Sequence, residues 1–197
     1  MAVKGLDTAS NVTKIVDKIK DEGYSFVVRY YSKSENSKRM STTESSAIAK
    51  AGLKRVVVYE NLHNAYSKFS ESIAKTDAGD AISQAKSHGQ LSGTIYFAVD
   101  YDASAAQIDA NIKKHFRVLQ NMCNLVGYSL GVYGSTLVCK KLKEAGIVSK
   151  TWVANASGWG YGTTFSDYNI KQKSQITIGG ITFDQDTATS INTIGAW

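Results

Sequence analysis

Apolar residues along this chain follow two alternating patterns. Short continuous runs, such as Val56-Val57-Val58, are typical of buried strands, whereas longer segments repeat an apolar residue every three or four positions, as amphipathic helices do. The pattern predicts five strands, each followed by a helix. The strands are 2–7, 25–31, 54–60, 94–100 and 128–134, and the helices are 11–22, 43–51, 71–87, 104–125 and 136–145.

The helical period ends after Gly146, and three more strands are predicted at 151–155, 169–176 and 181–186. Strands that are apolar throughout indicate a parallel sheet covered on both faces. We therefore predict a single α/β domain over 1–197, an irregular TIM-like barrel of five βα units followed by three strands. An open doubly wound sheet is the alternative, but Gly5-Leu6-Asp7 ends the first strand in an acid, not in a Gly-rich phosphate loop.

Composition excludes several classes of protein. The 197 residues are 43% hydrophobic, which suits a globular core, and no apolar run approaches the ~18 residues of a membrane span. We expect no membrane insertion. The first residues also lack the apolar stretch of a secretory signal, so the sequence leaves the localisation unknown.

The formal net charge of +6 favours anionic partners, such as nucleic acid or a bacterial wall that carries phosphate polymers. The basic residues are scattered and form no nucleic-acid motif, so nucleic-acid binding is the weakest of the hypotheses. The histidines and the two cysteines have no metal-ligand spacing. We predict neither a metal nor a cofactor.

Acidic residues close four of the predicted strands. They are Asp7 on strand one, Glu60 on strand three, Asp100 and Asp102 on strand four, and Asp184 and Asp186 on strand eight, of which Asp184 is the better placed. Acidic residues are uncommon in strands, and the active sites of α/β-barrels lie at the carboxyl ends of the strands. We therefore expect these acids to share one site. The competing explanation is that these acids cap the next helix or hold a turn, and it has most weight for Asp186 and then for Asp102.

Clustered carboxyl groups without metal ligands suit glycoside hydrolysis. One carboxyl must be protonated to donate to the leaving oxygen, and another must stay ionised to stabilise the transition state or activate water. Crowding separates their pKa values, and at least one of Glu60, Asp100 and Asp102 should have a raised pKa. Flat side chains near the acids provide surfaces for sugar rings. The predicted sugar-binding aromatics are Tyr30, Tyr66, Tyr101, Tyr133, Trp152 and Trp159.

Four motifs carry a resemblance to a known family. They are Gly5-Leu6-Asp7, the run Tyr96-Phe97-Ala98-Val99-Asp100-Tyr101-Asp102, Gly131-Val132-Tyr133-Gly134, and Gly180-Ile181-Thr182-Phe183-Asp184. In this order the sequence resembles the glycoside-hydrolase-like domain of unknown function, which is related to the family 25 N-acetylmuramidases. The resemblance covers the whole chain. It implies a wall-polysaccharide cleft in which Asp7, Asp100 and Asp184 match family acids and Gln172 matches a substrate-binding glutamine.

The sequence departs from the muramidase pattern at one position. In the muramidases that the sequence resembles, the second acid of strand four is a glutamate that serves as the proton donor. This chain has Asp102 at that position, with a side chain one methylene shorter. Glu60 is the other candidate for the general acid, because related domains also carry an acid there. The choice between Glu60 and Asp102 stays open from sequence.

These observations give two main functional hypotheses. The first is a muramidase-like glycoside hydrolase that acts on the amino-sugar polysaccharide of bacterial cell walls through Asp7, Glu60, Asp100, Asp102 and Asp184. The alternative is a catalytically inactive module that binds wall polysaccharide with the same cleft, which the shorter Asp102 favours.

Overall fold

A computed structural model of the chain describes residues 2–34 and 37–197. Eight strands form a closed barrel in sequence order. They are β1 (Val3–Asp7), β2 (Phe26–Tyr31), β3 (Lys54–Tyr59), β4 (Thr94–Ala98), β5 (Ser129–Gly134), β6 (Lys150–Val153), β7 (Ile170–Ile178) and β8 (Ile181–Ala188). The helices are α1 (Val16–Asp21), α2 (Thr42–Lys50), α3 (Glu71–Ser87), α4 (Ala105–Gln107), α5 (Lys113–Leu125) and α6 (Thr136–Glu144), with a π-helical turn at Ile108–Ile112.

Helical segments follow each of the first five strands, and β6 to β8 follow one another without an α-helix. The predicted irregular TIM-like barrel is therefore confirmed. Within the described ranges, none of the helices has both the length and the apolar character needed to cross a membrane.

The direction of the last strand differs from the other seven. Neighbouring strands from β1 to β7 are parallel, whereas β8 is antiparallel to both β7 and β1. The two-residue turn Gly179-Gly180, with positive φ at both positions, reverses the chain between β7 and β8. The prediction that strand eight ends at the mouth of the barrel is therefore wrong. Its acids reach the interior through pairing with β1, where Asp184 lies opposite Asp7 and Asp186 opposite Gly5.

The barrel interior below the acids is filled by large side chains. Its apolar cluster comprises Phe26, Val28, Val56, Val58, Tyr96, Ala98, Trp152, Ile170, Ala188 and Ile194. Gly5 makes room for this packing, because a Cβ there would lie 2.2 Å from the ring of Phe26. A second, larger cluster joins the outer faces of the strands to the helices.

Helix α1 is shorter than predicted, because its first residues bond to another element. The Glu44 carboxylate accepts the backbone N–H of Val12 at 2.8 Å and pairs with the fully buried guanidinium of Arg29 at 2.7 Å. Residues 13–15 therefore form a turn, and the helix begins at Val16 instead of residue 11. The buried pair fixes the β1–α1 connection against β2.

The C-terminal segment closes the end of the barrel where the parallel strands begin. Gly195 O accepts the N–H of Thr94 at 3.0 Å, and the Tyr96 hydroxyl donates to Ile194 O at 3.0 Å. Trp197 exchanges two backbone hydrogen bonds with Arg55, whose guanidinium lies 3.5 Å from the centroid of the Trp197 ring. The opposite end of the barrel, where β1 to β5 end, carries the predicted acids.

Candidate active site

The carboxyl ends of the parallel strands bring four of the five predicted acids to one mouth. β1 ends at Asp7, Glu60 follows β3, Asp100 follows β4, and Asp184 pairs with Asp7 from β8. Burial and the nearby charges of Asp7, Glu60 and Asp100 raise the pKa of Tyr30 well above its usual value. Three of the four acids, Asp7, Glu60 and Asp100, therefore lie close enough to Tyr30 to affect its titration.

Gln172 holds the two paired aspartates in place. Its Nε2 donates to Asp7 Oδ2 at 2.9 Å and to Asp184 Oδ2 at 3.3 Å. Its Oε1 accepts the Tyr133 hydroxyl at 3.2 Å and the N–H of Asn155 at 3.0 Å. Because donors face the oxygen and carboxylates face the nitrogen, the amide has one favourable orientation.

Asp7 and Asp186 form a buried carboxyl pair beneath the mouth. Their side chains are only 2% and 1% exposed, and Trp152 Nε1 donates to Asp186 Oδ1 at 2.8 Å. Asp186 Oδ2 has no donor among the described residues while both carboxyls are ionised, although the two side chains lie within hydrogen-bonding reach. Such a contact requires a proton on one of the two groups.

Burial is the main cause of the unusual titration of this pair. It raises the pKa of Asp7 to about 7, against the opposing hydrogen bond from Gln172 and with a smaller contribution from the charge of Asp184. Burial, followed by the charge of Asp7, raises the pKa of Asp186 well above its usual value. The two carboxyls therefore keep a proton between them to a higher pH than an ordinary aspartate would.

Lys38 balances the charge on the other side of the mouth. Its Nζ lies 2.7 Å from Glu60 Oε1 and 4.4 Å from the centroid of the Tyr30 ring. Burial and the charge of Glu60 raise the pKa of Asp100, and Lys38 partly opposes this rise. The mouth thus contains a carboxyl with a raised pKa next to a carboxylate that is paired with a cation.

The fifth predicted acid, Asp102, lies on the rim. Its side chain is exposed, and Oδ1 accepts the backbone N–H of Gly160 at 2.9 Å. Gly160 belongs to the Gly-rich loop after β6, so Asp102 contacts a neighbouring loop, whereas the other four acids are buried or partly buried.

One of the predicted sugar-binding aromatics lies where a sugar cannot stack on it. Trp152 is 1% exposed and packs against Tyr133, with ring centroids 4.6 Å apart. Its assignment to the binding surface is therefore wrong, because burial covers the ring. The other five are partly exposed: Tyr30, Tyr66, Tyr101, Tyr133 and Trp159. Of these, Tyr101 also packs on Phe69, with 5.9 Å between ring centroids.

Sequence reasoning gave too little weight to two residues. Asp186 was ranked below Asp184, although the period of two along a strand places both side chains on the same face. Lys38 carried no sequence signal, because it lies in a polar loop and reaches Glu60 only through the fold.

A second polar cluster lies between the barrel and the helices. Ligand atoms of His63, Asp77 and His115 all lie within 4.8 Å of one another. The N–H of Asn61 donates to His63 Nδ1 at 3.2 Å, so the ring proton is on Nε2 and donates to Asp77 Oδ2 at 2.9 Å. A metal on Nε2 would require the ring proton to move to Nδ1, and this would break the hydrogen bond from Asn61. We interpret the cluster as a hydrogen-bond network that attaches the loop after Glu60 to α3.

Known proteins share the sequence pattern and the fold. The family described as "Rv2525c-like, glycoside hydrolase-like domain" matches residues 17–188. The uncharacterized protein FadG of Bacillus subtilis (strain 168) is 30% identical over 192 residues, which cover 89% of this chain and 33% of FadG. The chain thus spans about a third of that relative.

Two solved structures show the same fold. The Tat-secreted protein Rv2525c of Mycobacterium tuberculosis, in complex with L-tartrate, superimposes with a TM-score of 0.85 at 21% identity, covering 99% of this chain and 98% of that one. The catalytic domain of endolysin ply40, from bacteriophage P40 of Listeria monocytogenes, gives 0.64 at 18% identity, covering 98% and 96%. At these identities the likeness extends to the fold alone.

Proposed function

Because the chain belongs to the Rv2525c-like family of glycoside hydrolase-like domains, we propose that it hydrolyses an amino-sugar polysaccharide of the bacterial cell wall, with peptidoglycan as the substrate. One observation carries this proposal: Asp100, with a raised pKa, and Glu60, paired with Lys38, share one mouth. A protonated carboxyl beside an ionised one is what glycoside hydrolysis requires. The fold shared with an endolysin catalytic domain supports a wall substrate.

We assign the two chemical roles from the charge balance of the mouth. Asp100 is the general acid, since burial and the charge of Glu60 both favour its protonated form. Glu60 is the stabilising carboxylate, because it forms an ion pair with Lys38 at 2.7 Å. This differs from the sequence hypothesis, which left the general acid open between Glu60 and Asp102.

The remaining polar groups orient the sugar. Asp7 and Asp184 share the amide of Gln172, and Tyr133 donates to the same side chain, so their positions are fixed before a ligand binds. A hydrogen-bonded floor of this kind holds the sugar hydroxyls while the bond above it is broken. Partly exposed Tyr30, whose titration responds to Asp7, presents a flat surface in the same mouth.

Purified walls provide the test of this function. The protein should clear a suspension of bacterial peptidoglycan and release new reducing ends, and it should sediment with the same walls. Denatured protein and an unrelated protein of equal charge are the controls. Sedimentation without reducing ends would contradict the hydrolase proposal.

The second candidate is a wall-polysaccharide-binding module without activity. The bond between Asp102 and Gly160 favours it, because the position that carries the proton donor in the resembled muramidases is engaged with the rim loop. The same assay separates the two functions. Binding to walls with no hydrolysis at any pH between 4 and 8 would select the binding module.

Lys38 should set the pH range of the reaction. Replacing Lys38 with methionine removes the charge that opposes protonation of Asp100, so the pKa of Asp100 should rise further. We expect the alkaline limb of the pH profile of kcat to move upward by roughly half a pH unit, the size of an interaction between partly exposed charges. Lys38→Arg is the control and should keep the parent profile. A downward shift in Lys38→Met would contradict the assignment of Asp100.

A further inference from the structure

The loop that follows β6 is fixed at two points. At its start, the N–H of Asn155 donates to Gln172 Oε1 on the floor of the mouth. Five residues later, the N–H of Gly160 donates to Asp102 Oδ1 at 2.9 Å. The segment 155–160 therefore spans from the floor to the rim, and Asp102 provides its outer attachment.

Gly160 fits closely against the first turn of α6. Its φ is +66°, and a Cβ there would lie 2.4 Å from Thr136 Oγ1 and 3.0 Å from the backbone nitrogen of Leu137. Only glycine meets both demands. The backbone at this position is thus held between α6 on one side and the carboxylate of Asp102 on the other.

The residues on either side of Gly160 are aromatic. Trp159 is half-buried, whereas Tyr161 is 94% exposed, the most exposed large apolar side chain among the described residues. The exposed ring of Tyr161 gains little from packing, yet the backbone beside it is held by the hydrogen bond between Gly160 and Asp102. Flat, exposed side chains in a fixed loop beside a cleft provide a surface for sugar rings.

We propose that Asp102 is a positioning residue, which holds the loop so that Trp159 and Tyr161 bind a sugar unit of the polymer outside the cleaved bond. This rests on the proposed wall-polysaccharide function. The role needs a carboxylate oxygen as an acceptor and needs no transferable proton. It also accounts for the shorter side chain at this position, since Asp102 reaches Gly160 at normal hydrogen-bond length.

Two variants separate a positioning role from an acid role. Asp102→Asn keeps an oxygen that can accept from Gly160, but it removes the acid, whereas Asp102→Ala removes both. For the positioning role, Asp102→Asn should retain the parent kcat and KM, and Asp102→Ala should raise KM about tenfold with kcat nearly unchanged. Asp109→Asn, an exposed aspartate on the adjacent π-helical turn, controls for the lost charge. A large fall of kcat in Asp102→Asn would overturn the proposal.

Amide hydrogen exchange tests the same contact without any substrate. The N–H of Gly160 should exchange at the parent rate in Asp102→Asn and at least about tenfold faster in Asp102→Ala. Equal exchange in the parent and in Asp102→Ala would overturn the attachment, even if the protein neither binds nor cleaves walls. The protein can bind or cleave walls, and Asp102 can hold Gly160, without any sugar contact at Trp159 and Tyr161. That contact therefore needs its own test. Tyr161→Ala tests this surface in a side chain too exposed to affect folding, and an unchanged KM there would overturn the sugar contact.

Discussion

Replacing Asp100 with asparagine is expected to slow wall hydrolysis by about 10²–10⁴-fold, the contribution of a general acid, while the protein still sediments with walls. Asparagine keeps the size and the polarity of the side chain but cannot donate a proton to the leaving oxygen. The pKa of Asp100 is raised by burial and by the charge of Glu60, so the parent should lose activity as the pH rises through that pKa. Initial rates of reducing-end release from pH 4 to 8 provide the measurement.

Two companion variants make this result specific. Asp109→Asn removes the same charge from an exposed position and should leave the rate within twofold of the parent. Glu60→Gln should lower kcat as strongly as Asp100→Asn, because the mouth then lacks the ionised partner. Parent activity in Asp100→Asn would place the general acid elsewhere and would return Glu60 to consideration.

Asp186→Asn is expected to roughly halve the pH dependence of stability between pH 4 and 7, because it removes one of two buried carboxyls whose pKa is raised. In the parent, the raised pKa of Asp7 means that the folded state holds a proton that the unfolded chain releases above pH ~4. This stabilisation is complete below the unfolded pKa and is lost as the pH rises to about 7. Asp7 alone should therefore lower the free energy of unfolding by roughly 4 kcal/mol across this range, and Asp186 adds to the fall.

In the variant, an amide replaces the carboxyl of Asp186. Its oxygen can still accept from Trp152 Nε1 and its NH₂ can donate to Asp7, while the burial of Asp7 stays the same. Urea unfolding at half-unit pH steps should therefore show a slope roughly half that of the parent, the part that belongs to Asp7. Asp17→Asn, on the exposed face of α1, is the control and should keep the parent slope. A variant as steep as the parent would mean that Asp186 holds no proton in the folded state over this range.

The sequence predicted the barrel because its signals are local. Apolar runs and helical periods mark each βα unit, and acids that interrupt apolar runs mark the mouth. The reversed β8 was also visible in principle, because the Gly179-Gly180 turn between two strands is a hairpin signal. A parallel strand eight would end at the mouth, so its acids are predicted at the end of that strand and not beneath Asp7.

Other features depend on partners far along the chain. Asp102 and Gly160 are 58 positions apart, and nothing in either segment indicates that one binds the other. Helix α1 starts late because Val12 bonds to Glu44, 32 residues away. Trp152 was predicted to bind sugar because the residue type does not distinguish an aromatic side chain buried inside the barrel from one exposed at its mouth.

The pairing of β1 with β8 has a consequence for how the chain acquires its site. Asp7 lies near the start of the sequence and Asp184 near its end, and their strands meet only when the barrel closes. Contacts so distant in sequence form slowly, because the intervening chain must lose conformational entropy before the contacts can stabilise the fold. A refolding chain should therefore gain helical circular dichroism before it gains affinity for walls. The delay between the two signals would report the time at which the two ends of the chain join.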